Sequence, residues 1–184
     1  MVKAEAYGLG MEAVAAALTG FPRAGDPWAF GVATVTEGER LRRTGWSGRI
    51  LVFPPAPFSE YRRAAEANLT LCVSELAAVQ HLARLASELQ RPLPFHLEVD
   101  TGMGRAGFPW ASASEWGPAV AEVARDRLRW EGTFTHFHSA DEPDLSSTDE
   151  QWRRWLEVLS RLPKIDPPPV LHVANSAAIM RRGG

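Results

Sequence analysis

"FHLEVDTGMGRAGF", residues 95–108, runs from an apolar strand pattern directly into a loop with three glycines. Phe95–Val99 reads as a short strand, and Asp100 marks its carboxyl end. Parallel sheets and barrels carry their chemistry at that end. Gly102, Gly104 and Gly107 permit an unusual backbone path and the close approach of a ligand. Arg105 can fork onto an oxygen or a carboxylate. The same residues also suit a structural turn closed by an Asp100–Arg105 salt bridge.

The pattern around this stretch repeats. Trp28–Ala33, Arg49–Phe53, Leu69–Val73, Trp130–Phe137 and Val170–Ala174 are further apolar runs of strand length. Buried parallel strands have this appearance. Amphipathic segments fill the gaps. Met11, Val14 and Leu18 share one helix face, with Gly20 as a stop signal. Ser74 is placed to cap a helix that turns Leu76, Val79, Leu82 and Ala86 inward. Ser112 with Glu115 and Thr148 with Gln151 both read as capping boxes. Trp116, Val120 and Val123 follow the first of these on one face. Trp152, Trp155, Leu156 and Leu159 follow the second. Pro163 and Pro167–Pro169 separate that helix from the last strand.

Strand–helix alternation means right-handed parallel βαβ units. An open doubly wound sheet and a (β/α)8 barrel both fit. Gly8-Leu-Gly10 is too short for a dinucleotide fingerprint. A full barrel takes about 250 residues. In 184 residues, six full strands and the end of another at Val2–Lys3 predict an incomplete barrel in one domain, residues 1–184.

The bulk numbers narrow the function classes. A net charge of −2 and a pI near 6.2 give no basic footprint for nucleic acid or an anionic membrane. The single cysteine, Cys72, excludes an internal disulfide framework and reads as a core thiol. No leader pattern or spanning stretch is legible, so the cytoplasm is the expected location.

Three further segments carry chemistry. Lys3 is one of only two lysines, beside Tyr7 and the Gly8–Gly10 turn. A lysine held at a strand end is what a Schiff base needs, because only the neutral amine attacks a carbonyl. Thr135-His-Phe-His138 lies at another strand end. If the strand continues, His136 and His138 share a face and, with Asp141, could hold a metal. His96 is at the wrong end of its strand to join them, and His172 reads as packed inside. In His172-Val-Ala-Asn-Ser176, a strand enters a helix through two good cap residues. A helix start also favours phosphate.

In this order, Val2–Gly10, Asp100–Phe108, Thr135–Phe137 with Ala140–Glu142, and Ala174–Ile179 resemble alanine racemase. Its N-terminal domain is a pyridoxal-phosphate-binding (β/α)8 TIM-type barrel. The resemblance spans the chain and corresponds to the end of strand 1 and strands 2–7. It implies that Lys3 holds pyridoxal 5'-phosphate as a Schiff base and moves the α-proton of alanine. It implies that Tyr7 and Ser176 bind the phosphate, that Arg105 faces the phenolic oxygen, and that His136 lies beside the ring. Asn175 would sit at the rim. Lys3, Arg105 and His136 are thus the expected catalytic residues, with no metal.

The resemblance further implies an isomerase acting between L- and D-alanine, serving D-alanine biosynthesis and peptidoglycan precursors, and a homodimer in the intact family. Where the family commonly has a carbamylated lysine, this chain has Glu98, expected to supply a permanent carboxylate that orients Arg105. His138 replaces a non-histidine residue and is assigned no role. Strand 8, its arginine and a β-rich C-terminal domain are missing from the 184 residues. The expectation is therefore a domain that binds cofactor weakly and does not racemise alanine alone. Alternatives are a non-catalytic pyridoxal-phosphate homeostasis protein, a decarboxylase or aldolase on the same barrel, and a metal hydrolase using His136 and His138.

Overall fold

Short runs of two to eight residues form the strands, and polar-faced segments between them form the helices. The computed structural model describes residues 1–19 and 27–182. The expected stop at Gly20 lies outside the described residues. Residue contacts divide the chain into two units, Met1–Cys72 and Val73–Gly184.

In the first unit, β1 (Ala29–Val32) pairs in parallel with β2 (Arg49–Val52), and β2 pairs with β3 (Thr70–Val73), whose last residue belongs to the second unit. Phe30, Val32, Ile50, Val52, Leu71 and Cys72 are buried. Helices α2 (Met11–Thr19), α3 (Val35–Arg43) and α4 (Tyr61–Glu66) accompany these strands. On α2, Met11 and Ala15 turn inward while Leu18 is exposed, against expectation.

The segment α1 (Lys3–Gly8) is neither a strand end nor an ordinary helix. Ala4, Glu5, Ala6 and Tyr7 have φ of 49–60° and ψ of 35–53°, a left-handed helical turn. Such a conformation costs roughly 1–2 kcal/mol for each L-residue that adopts it. The glycine signal pointed to the right place, but four non-glycine residues also take the unusual path. Val2, just before this segment, is not strand either, but its amide donates to the Gly31 carbonyl of β1 at 2.8 Å.

In the second unit, β4 (Leu93–Asp100) pairs in parallel with β6 (Leu128–Thr135), and β6 with β7 (Val170–His172). The two-residue β5 (Phe108–Pro109), too short to read from sequence, lies beside the end of β4. Register slips between Phe95 and His96, leaving Glu131 as an extra residue in β6. Val170 and Leu171 are exposed, so β7 is not the buried strand its composition suggested. Helices α5 (Leu76–Glu88), α6 (Ala113–Ala124), α7 (Ser146–Arg161) and α8 (Ser176–Arg182) alternate with the strands.

Capping departs from expectation in a consistent way. The only capping box among the described helices that the structure forms is Thr34–Glu37, at the start of α3. Ser74, Ser112 and Thr148 cap nothing. Helix α7 starts two residues before Thr148, which puts Thr148 and Gln151 on its buried face with Trp155 and Val158. Trp152 and Leu156 face outward.

Candidate active site

In the first unit, the left-handed turn sets Lys3. The lysine is half-buried, with Nζ 5.9 Å from the centroid of the Tyr7 ring. Tyr7 itself is exposed. The turn is tied from inside by the Ala6 amide on the Val2 carbonyl (3.0 Å) and the Gly10 amide on the Glu5 carbonyl (2.8 Å). It is tied from outside by α3. Glu37 accepts the Ala4 amide at 2.8 Å, and Arg40 pairs with the carboxylates of Glu5 and Glu12.

In the second unit, β4, β6 and β7 are parallel, so their carboxyl ends lie on one side, and the candidate residues follow those ends. The loop after β4 is held by Asp100, whose carboxylate accepts the amides of Gly102 (2.9 Å) and Gly104 (3.1 Å). Asp100 is thus committed to its own loop rather than to Arg105. Gly107, at φ 123°, passes so close to β4 that a Cβ would lie 2.5 Å from the Asp100 nitrogen.

Arg105 instead approaches Glu98, with Nη2 3.7 Å from Oε1. The Glu98 side chain is only 4% exposed and that of Arg105 58%, so a buried anion anchors an outward-facing cation. Ser74 donates to the other Glu98 oxygen at 3.1 Å. Burial raises the Glu98 pKa above its ordinary value, while the bond from Ser74 and the charge of Arg105 pull it down. The Glu98 carboxylate is thus the anion beside Arg105.

β6 ends at Thr135, so His136 and His138 sit beyond the strand and their common-face argument does not apply. His136 is half-buried and His138 exposed. Among the described residues, no three His, Cys, Asp or Glu side chains are grouped as a metal ion needs. Gln151 on α7 holds this segment. Its Nε2 donates to the His136 carbonyl (3.0 Å) and to Thr101 Oγ1 (3.2 Å), and its Oε1 accepts the His138 amide (2.8 Å). Thr101 in turn shares a 2.7 Å hydrogen bond with Thr135, and Arg154 donates to its carbonyl. The loops that carry Arg105 and His136 are therefore joined through one glutamine.

After β7, Asn175 is the helix cap and Ser176 the first residue of α8. Asn175 Oδ1 accepts the Ala178 amide at 3.0 Å, and Nδ2 reaches the Phe137 carbonyl at 3.5 Å. Ala178 packs on Phe137 and Ala140, bringing α8 against the β6 loop. Beneath these loops, His96 Nδ1 and His172 Nε2 are 2.9 Å apart. His96 lies mid-strand, its ring filling the space left by Gly132, where a Cβ would come within 2.2 Å. His172 stacks on Phe134, and burial lowers its pKa to about 4.

The structure thus brings together Lys3 with Tyr7, and Arg105, His136 and Asn175 through Gln151, Thr101 and Phe137. Glu37, Ser74, Thr101 and Gln151 were missed as site-supporting residues. For two of them a signal existed. Thr34-x-x-Glu37 is a capping-box pattern, and Gln151 shares a helix stripe with Trp155 and Val158.

Parallel βα units with polar side chains collected at the strand carboxyl ends define an α/β barrel-type protein. The family described as alanine racemase, N-terminal domain, matches residues 1–183. Alanine racemase from Deinococcus radiodurans is 40% identical over 183 residues, covering 99% of this chain and 47% of the relative. That from Limosilactobacillus fermentum is 39% identical over 179 residues, covering 96% and 46%. Among solved structures, alanine racemase from Clostridium difficile 630 superposes with a TM-score of 0.87 at 30% identity, over 97% of this chain and 48% of the other. The chain belongs to the alanine racemase N-terminal domain family. Its fold class is α/β, an incomplete (β/α)8 barrel. It spans about half the length of the curated relatives it matches. No described helix is long and apolar enough to cross a membrane.

Proposed function

We propose that residues 1–184 are one partial barrel domain, the cofactor-holding part of a pyridoxal-phosphate-dependent alanine racemase. The observation that carries this is the family match over residues 1–183, which includes a half-buried lysine at position 3.

The residues present fit the cofactor. An aldehyde requires a primary amine, and Lys3 supplies one on a backbone held from several sides. A phosphate and a phenolic oxygen require donors. Tyr7 and Ser176 carry exposed hydroxyls, and Arg105 presents its guanidinium from the Glu98 anchor. Among the described residues, none beyond the chain neighbours of Gly104 lies within 4 Å of where its Cβ would stand, which leaves the loop open to a ligand.

In this reading, Lys3 would hold the cofactor through its amine, Tyr7 and Ser176 would bind the phosphate, and Arg105 would donate to the phenolic oxygen. His136 flanks the ring and Asn175 the rim. Pyridoxal phosphate, when bound, supplies an electron sink for the negative charge that develops at the α-carbon of alanine. The Lys3 amine, when not bound to the cofactor, would take or return the α-proton on one face. Inversion would need a second acid on the opposite face, a role that none of these residues fills. A homodimer, cytoplasmic location and a role in D-alanine supply for peptidoglycan belong to the same reading.

A solved relative from C. difficile is a complex with cycloserine, which supports a small amino-acid-like ligand. A histidine racemase from Leuconostoc mesenteroides superposes with a TM-score of 0.82 at 31% identity. Alanine is favoured here because the curated relatives named above are alanine racemases.

The test adds pyridoxal phosphate to the 184-residue protein, records visible absorbance, then reduces with borohydride and maps the modified peptide. A band trapped on Lys3 and absent from Lys3→Ala is expected. An equal band in both proteins, or trapping on Lys164, overturns the proposal.

A further inference from the structure

Glu37 does more than a capping box requires. In such a box the glutamate accepts the cap residue's own amide, and here Oε2 does so, taking the amides of Thr34 (3.3 Å) and Ala33 (2.7 Å). The second oxygen, Oε1, is turned 33 residues back along the chain to the Ala4 amide at 2.8 Å. Ala4 is the residue after Lys3 and the first of the four in left-handed conformation. One carboxylate therefore fastens the start of α3, the end of β1 and the entry to the strained turn.

Arg40, one helical turn further along α3, holds the next residue of that turn through the Glu5 carboxylate. The restraint is anionic at Ala4 and cationic at Glu5. A left-handed run of alanine, glutamate, alanine and tyrosine does not persist on local preference, since each residue is more stable elsewhere in φ/ψ space. The ties from Glu37 and Arg40 both come from the same face of α3.

We infer that Glu37 is the positioning residue for Lys3, locking the left-handed turn so that the lysine backbone has one setting. This rests on the reading of Lys3 as the cofactor lysine. Glu37→Gln keeps the size of the side chain but places an NH2 group opposite an amide donor. Thr34→Ala is the control, because it breaks the same helix cap and leaves the Ala4 bond in place.

Two measurements on the 184-residue protein decide the matter. The first is amide hydrogen exchange at Ala4 without cofactor. A bond to a charged acceptor is lost in Glu37→Gln, so exchange should quicken about tenfold or more, and stay within about twofold of wild type in Thr34→Ala. The second is the fraction of Lys3 trapped by pyridoxal phosphate and borohydride. It should fall several-fold in Glu37→Gln and hold in Thr34→Ala at a comparable loss of Tm.

Unchanged Ala4 exchange in Glu37→Gln, or an equal change in both variants, overturns the inference. So does faster exchange with no fall in Lys3 trapping. If wild type is not trapped at Lys3, the proposed function falls, while Ala4 exchange still decides whether Glu37 locks the turn. Should Glu37→Gln fail to fold, Glu37→Asp keeps the charge, withdraws its reach from Ala4, and is read by the same outcomes.

Discussion

The Ser74 hydroxyl donates to the buried Glu98 carboxylate at 3.1 Å, across 24 residues of chain. Ser74 follows β3 and Glu98 lies near the end of β4, so a side chain placed to cap a helix instead serves an anion. The same anion faces Arg105 from its other oxygen.

Glu98 should therefore set a pH dependence. Its folded pKa is raised above the ordinary 4.5, chiefly by burial. Folding then favours the protonated form, so the stability from this group is complete below pH 4.5 and falls as pH rises toward the folded value. Glu98→Gln should remove that slope from Tm measured between pH 4 and 7. It should also weaken pyridoxal phosphate binding, because Arg105 loses its anchor. Ser74→Ala should raise the Glu98 pKa further. Unaltered cofactor affinity in Glu98→Gln would show that Arg105 needs no carboxylate.

Gln151 makes three hydrogen bonds while 2% exposed. At about 0.5–1.5 kcal/mol each, plus the cost of the buried partners left unsatisfied, Gln151→Ala should destabilise by about 2–4 kcal/mol in urea unfolding. Exchange of the His138 amide should rise more than exchange in β1 or β2, which belong to the other unit. Uniform loosening would argue against a local tie between the loops.

Gly107→Ala should be far more harmful than an exposed alanine substitution. The new methyl meets the β4 backbone at 2.5 Å, and φ of 123° suits no L-residue. Main chain cannot rotate away as a side chain does. Loss of at least about 2 kcal/mol is expected, together with displacement of the Arg105 loop, read as lower pyridoxal phosphate affinity at temperatures where the variant is folded.

His172 titrates in the opposite sense from Glu98. Burial holds its pKa at about 4, below the ordinary 6.5. The folded state excludes the proton, so the stability it protects is complete above pH 6.5 and is lost as pH falls toward about 4. His172→Gln, which retains a partner for His96, should flatten Tm between pH 6.5 and 4. A wild-type slope persisting in the variant would place the titration elsewhere.

Periodicity and punctuation are local, and they located all six major strands and the residues at the strand ends. Lys3, Arg105, His136, Asn175 and Ser176 stand in segments legible in one dimension because motif chemistry is written in consecutive residues. Partner choice is not. Ser74 found Glu98, Gln151 found Thr101 fifty residues away, and Glu37 found Ala4, because parallel winding brings those segments together after folding. The handedness of the turn after Lys3 was equally hidden. Nothing in Ala-Glu-Ala-Tyr prefers positive φ, and ties from Val2, Gly10, Glu37 and Arg40 help offset its cost. The sequence by itself determined the α/β winding and the chemistry it could carry. The tertiary structure decided which side chains hold that chemistry in place, because those bonds join residues that local pattern never compares.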